Sequence, residues 1–177
     1  MARTKALDTI AGVCITTPNH TLFYLQEKDD GHPIPAFRCK YTFFGGKAEH
    51  GENSYEAARR ELKEELSPDA AAKIIPCLTL LFTFKLQRIY LLPKKEYCSV
   101  HLYEAILSES DLTAIAQLPI YEGKRGVLIS RNDFSASLFP EHMHSLVKKY
   151  ESFWRSFSYR VLSKWHNPRI SSERTDG

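Results

Sequence analysis

Between Gly45 and Leu66 the chain reads GGKAEHGENSYEAARRELKEEL, and this segment constrains the fold more than any other. Asn53 is placed to cap a helix, and Glu56 three residues on completes a capping-box pattern. Pro68 disfavours helical dihedrals at Ser67, so the spacing predicts a helix ending at Leu66. At about 100° per residue, Tyr55, Ala58, Leu62 and Leu66 share one side, expected to pack on a sheet. Arg59, Lys63 and Glu56 fall in a second, solvated sector. Glu61, Glu64 and Glu65 fall in a third, flanked by Arg60. Like charges at this spacing repel by roughly 0.2–0.5 kcal/mol per pair. A plain solvated helix would interleave these glutamates with lysines, and this one segregates them. Hard divalent cations relieve such repulsion, because they prefer carboxylate oxygens and keep other positions for water and phosphate. The Gly45-Gly46 pair ahead of the helix can turn tightly and offer backbone groups to the same ligand.

The surroundings are β-rich. LDTIAGVCIT and TLFYLQEK, separated by TPNH, read as a hairpin, and RCKYTFF as a third strand leading into Gly45. CLTLLFTFKLQRIYLL and YCSVHLYEAIL read as long strands joined by PKKE, and the segment containing YEGKRGVLIS as less regular. From Pro140 to Trp165 apolar residues recur every three or four positions, which fits a long amphipathic helix. Strands around one helix with a second near the end imply a one-domain α/β sandwich. Residues 1–166 are expected to form that domain, and residues 167–177 a flexible tail.

Gly46, five residues, Glu52, seven residues, then Arg60, Glu61, Leu62, Glu64 and Glu65 resembles the Nudix box, G-x5-E-x7-R-E-U-x-E-E-x-G-U. Every charged position of the pattern is filled. The one departure is Ser67, followed by Pro68, where the pattern carries glycine. The resemblance to the Nudix (MutT-like) family implies an α/β/α sandwich with a mixed sheet, one catalytic helix and a long C-terminal helix. It implies hydrolysis of the pyrophosphate bond in a nucleoside diphosphate linked to another moiety, with Mg²⁺, or Mn²⁺, as cofactor. Glu61, Glu64 and Glu65 then become the metal ligands, with the Gly46 carbonyl as a backbone ligand and Gly45 shaping the turn. Arg60 and Glu52 are expected to form an ion pair fixing loop to helix. Glu64 and Glu122 are the candidates for general base, and Lys47 and Arg125 for substrate contacts. Phe37, Tyr24, Phe84 and Tyr103 are candidates either to stack on a base or to fill the core.

The marker residues of ADP-ribose pyrophosphatases and dinucleoside polyphosphate hydrolases do not appear at Thr83-Phe84 and Lys85-Leu86. A nucleoside triphosphate or nucleotide-sugar-like substrate is the remaining expectation. Two other readings of the fold are a nucleotide-binding domain that does not cleave and a pyrophosphohydrolase of RNA 5′ ends. Non-cleaving relatives commonly lose box glutamates, and this chain keeps them all. A net charge of +3 with no arginine-rich stripe argues against nucleic acid. No apolar run approaches the roughly 18 residues of a membrane span. The four scattered cysteines lack a C-x-x-C pair, so reduced thiols mostly at core strand positions, and a cytoplasmic location, are expected. Phe153, Trp154, Phe157 and Trp165 exceed what one helix face needs, and core packing or a homodimer surface would use them.

Overall fold

The two apolar runs flanking the first turn form an antiparallel hairpin, β1 (Asp8–Thr16) and β2 (Leu22–Glu27). The computed structural model describes the backbone of residues 8–88 and 96–165 and the side chains of 8–86 and 97–156. β1 is buried from Ala11 onward because it lies between two neighbours. It pairs with β2 on one side and in parallel with β5 (Glu96–Ile106) on the other, from Asp8↔Cys98 to Thr16↔Ile106. β4 (Leu78–Arg88) lies antiparallel on β5, with a register irregularity between Leu80 and Phe82. β3 (Tyr41–Thr42) and β6 (Arg125–Ser130) both pair with β2. The sheet therefore runs β3-β2-β1-β5-β4, with β6 also on β2.

The third strand is shorter than its composition suggests. After Thr42 the chain leaves β2 and crosses to β1, with isolated bridges Val13↔Phe44 and Ile10↔Lys47. That crossing delivers Gly45 and Gly46 to the middle of the sheet. β6 is a regular strand where the sequence pattern suggested irregular chain; Val127, Leu128 and Ile129 continue its pairing with Phe23, Tyr24 and Leu25.

Helix α1 (Ser54–Glu65) starts as expected: Asn53 Oδ1 accepts from the Tyr55 and Glu56 amides, and the Glu56 carboxylate accepts from the Asn53 amide. Ala58, Leu62 and Leu66 are buried as expected, joined by Ala57 and Glu65. Tyr55 stays 40 % exposed at the rim, its ring near Tyr103 and under the Arg59 guanidinium. The helix ends at Leu66, but Ser67-Pro68 also opens a new one, α2 (Pro68–Ile74). Ser67 Oγ accepts from the Ala70 amide, and Pro68 occupies the first helical position, where a missing N–H costs nothing. The same serine logic at Ser108 starts α3 (Glu109–Ile115), which also escapes the apolar periodicity because it is so short.

Helices α1, α2 and α3 cover one face of the sheet. After a 3-10 turn at Glu141–Met143, helix α4 (His144–Trp165) covers the other with Leu146, Val147, Tyr150 and Trp154. The result is an α/β/α sandwich on a mixed sheet. Trp154 is core, whereas Phe153 is 39 % exposed. The side chains of Phe157, Val161, Leu162 and Trp165, and the tail 167–177, lie outside the described residues. All four cysteines are free thiols. Only Cys14 and Cys98 are core strand residues; Cys39 is exposed and Cys77 half-buried. Among the described residues no helix is long and apolar enough to cross a membrane.

Candidate active site

Arg60 organises the outer half of the acidic cluster. Its Nε and Nη2 each meet a Glu52 carboxylate oxygen at 3.1 Å, and Nη2 also reaches the Lys47 carbonyl at 2.9 Å. Its Nη1 donates to Glu61 Oε1 and to Glu64 Oε2, both at 2.9 Å. One guanidinium thus spans three carboxylates and pins the 47–52 loop to α1. Charge-assisted forks of this kind are the strong class of hydrogen bond. The Arg60 pairing holds Glu52 below its ordinary carboxylate range.

Glu65 forms the inner half. At the end of α1 it turns inward and is only 1 % exposed. Oε2 accepts from the Gly45 amide at 2.7 Å and Oε1 from Gln26 Nε2 at 3.2 Å. Burial pushes the Glu65 carboxyl up to about 7; the Gly45 N–H and Lys28 pull it down, and Glu61 and Glu122 push it further up. Burial also raises Glu61 against the pull of Arg60, with Glu64 and Glu122 adding to the rise. Glu64 is half-exposed and faces Arg60. The three glutamates expected on one sector therefore sit at three depths.

The two glycines do different things. Gly45 has φ +117°, and a Cβ there would lie 2.1 Å from the Ala11 carbonyl oxygen. Gly46 leaves room for a side chain belonging to another residue: a Cβ there would fall 2.3 Å from Glu61 Oε1. The Gly46 carbonyl accepts from the Ala11 amide at 2.9 Å, which leaves its second lone pair. Among the described residues no three histidine, cysteine, aspartate or glutamate side chains are gathered tightly enough to enclose a metal. The carboxylates instead face Arg60, Gly45 and Gln26. The donor set itself, glutamate and carbonyl oxygens around a notch, is the chemistry a hard divalent cation takes.

Glu122 lies exposed on the loop before β6, near enough to Glu61 and Glu65 for its charge to act on both. Lys47 Nζ pairs with Asp8 at 3.1 Å, and Arg125 Nε with Glu27 at 2.7 Å, which Lys124 also meets at 3.1 Å. Glu27 and the buried Gln26 were missed from sequence. Their signal was a polar pair closing an otherwise apolar strand, LFYLQE, whose unbroken apolar run marks it as covered on both faces.

Beside the Gly45-Gly46 turn opens a cavity of about 430 Å³. Its walls include Ile34, Phe37, Phe43, Val100 and Met143, with Lys28, His32 and His142 as polar members. Phe37 packs edge-on to His142 and tilted on His32, with ring centroids 5.1 and 5.2 Å apart. Burial and the neighbouring His144 lower the basicity of His142, which favours its neutral form. No carboxylate or carboxamide lines the cavity among the described residues. Of the other aromatics considered, Tyr24 and Tyr103 are core, and Phe84 lies beneath Lys149.

The raised Glu65 makes a prediction for metal-free protein. A carboxyl with a folded pKa near 7 against 4.5 unfolded binds its proton more tightly when native. Its contribution to stability is full below 4.5 and is lost as pH rises to 7, by about 3 kcal/mol. Glu61 adds in the same direction, and His142 opposes it. Urea midpoints in EDTA at pH 5 and pH 8 are expected to drop less in Glu65→Gln than in the parent.

A family model described as NUDIX domain matches residues 7–133. Solved structures share the fold. Escherichia coli dihydroneopterin triphosphate pyrophosphohydrolase is 18 % identical with a TM-score of 0.57, over 88 % of this chain and 99 % of that one. A Caenorhabditis elegans Ap4A hydrolase is 22 % identical with a TM-score of 0.55, over 85 % and 100 %. A MutT protein from Methanosarcina mazei is 12 % identical with a TM-score of 0.54, over 85 % and 97 %. No curated protein matches the chain at a significant level.

Proposed function

The chain belongs to the Nudix family of pyrophosphohydrolases, and on that premise we propose that it cleaves the pyrophosphate bond of a nucleoside triphosphate or nucleotide-sugar-like diphosphate. The observation that carries this is Glu61 seated in the Gly46 notch and Glu65 on the Gly45 amide, next to a cavity with apolar and cationic walls. Glu61, Glu64, Glu65 and the Gly46 carbonyl would hold Mg²⁺ or Mn²⁺. Bound there, such an ion supplies positive charge to the pyrophosphate oxygens and lowers the pKa of water.

The chain's own residues do the rest. Arg60 holds Glu61 and Glu64 in place and, through Glu52, keeps the loop closed on the helix. Glu122 takes the proton of the attacking water; it is exposed, as a base facing solvent must be, and lies beside the buried carboxylates. Lys47 and Arg125 exchange their carboxylate partners for phosphate oxygens. The group carried by the diphosphate enters the cavity and stacks on Phe37. Stacking, worth about 1–3 kcal/mol per base, tolerates any base, so selection among bases falls to the few polar wall groups, Lys28, His32, Thr42 and His142.

The test is purified protein with Mg²⁺ against a nucleotide and nucleotide-sugar panel, with products identified. Release of a nucleoside monophosphate is expected; binding without release of any phosphate would sink the hydrolase reading. Phe37→Ala is expected to raise KM for nucleotides about tenfold, with inorganic tripolyphosphate unaffected. An equal loss on both would remove Phe37 from the substrate site.

A further inference from the structure

We infer that Gln26 is a positioning residue that holds the loop bearing Glu122 in register with Glu65. Gln26 is fully buried on β2. Its Nε2 donates to two acceptors at once, Glu65 Oε1 at 3.2 Å and the Glu122 carbonyl at 3.0 Å. Its Oε1 accepts from the Thr42 hydroxyl at 3.4 Å, on the residue opposite it in β3. These partners fix the amide's orientation. Turned over, Oε1 would face two oxygens and Nε2 would lose both acceptors.

The rest of the loop is fastened around that amide. The Tyr121 amide donates to the Glu65 carbonyl and the Lys124 amide to the Glu27 carbonyl, both at 2.8 Å. Gly123 has φ +74°, and a Cβ there would lie 2.9 Å from the Glu27 carbonyl oxygen and 3.0 Å from Gln26 Cγ. The backbone on both sides of Glu122 is thus tied to α1 and β2, and Gln26 alone of these contacts reaches both Glu65's carboxylate and Glu122 itself. A carboxylate at position 26 would repel Glu65, and an aliphatic side chain would strand the buried Glu65 Oε1 and release the Glu122 carbonyl. Groups one contact removed from a metal ligand typically change metal affinity or activity by 10–100-fold.

The inference rests on the hydrolase reading, and its test separates the two. Mn²⁺ binding is followed by the electron spin resonance of the free ion, and turnover is measured alongside. Gln26→Leu is expected to weaken Mn²⁺ binding about tenfold and to lower kcat by about 10–100-fold, with nucleotide KM within twofold. At saturating Mn²⁺, combining it with Glu122→Gln is expected to add no loss of kcat beyond twofold, because the carboxylate whose loop Gln26 holds is already gone. If Gln26→Leu does not fold, Gln26→Asn replaces it, since its amide stops one methylene short. Parent-like Mn²⁺ affinity and kcat, or losses that multiply in the double variant, overturn the inference alone. A parent protein that binds no Mn²⁺ and cleaves nothing overturns the hydrolase reading and takes this one with it.

Discussion

Glu65→Gln is expected to lower kcat about a thousandfold while leaving the protein folded. The replacement keeps an oxygen for the Gly45 amide but gives up the charge of a group buried against Gln26 and the Gly45 turn. Removing an anionic ligand forfeits several kcal/mol of transition-state charge stabilisation, and about 4 kcal/mol is a factor of a thousand. The protein should stay folded: burial and the Glu61 and Glu122 charges already disfavour the Glu65 anion, which offsets the new amide NH₂ facing Gln26 Nε2. Turnover and a urea titration on the same preparation check both halves. Turnover within tenfold of the parent would remove Glu65 from the metal face.

Gly45→Ala is expected to produce the largest loss of stability, about 3 kcal/mol or more. An alanine at φ +117° occupies backbone space that side chains rarely enter, at a cost of roughly 1–3 kcal/mol. Its Cβ would also sit 2.1 Å from the Ala11 carbonyl oxygen, so either β1 or the loop must move. Two neighbours isolate the causes. Gly51 has φ +85° with nothing near the Cβ position, and Gly51→Ala is expected to cost only about 1 kcal/mol. Gly46→Ala meets the end of the Glu61 side chain, which can swing away. It should keep its urea midpoint and lose activity. Equal midpoints for Gly45→Ala and Gly51→Ala would show that the close approach to β1 is not what Gly45 provides.

How far sequence reasoning reached depended on whether the cause of a feature was local. The capping box at Asn53 and the end of α1 follow from neighbours within one turn, and both were legible. The depth of Glu65 was not, because it depends on Gln26 and Gly45, which only the sheet brings beside it. The wheel put Tyr55 in the packing face, but its ring lies at the rim beside Tyr103 and Ala57 is buried instead. Ser67-Pro68 was read as an end because proline stops a preceding helix; the same pair, seen from downstream, is a cap and a first turn. RCKYTFF has strand composition but switches partner midway, a choice made by β1. The glutamate spacing marked the candidate site, and the depth and inner supports of Glu65 came from tertiary contacts.

The parallel seam between β1 and β5 bears on how the chain acquires its shape during synthesis. β1 is complete at Thr16, yet its partner does not finish until Ile106 has been made. At about 5–20 residues per second, the first strand waits on the order of ten seconds with one edge unpaired. Pairings of such long sequence separation also slow folding, since the loop must close before the contact repays it. Gly45 and Gly46 take their position from β1, so the candidate site is built on the strand that waits. Binding by a holdase should therefore concentrate on nascent chains between these two lengths, while the edge of the first strand that the fifth will cover is still open.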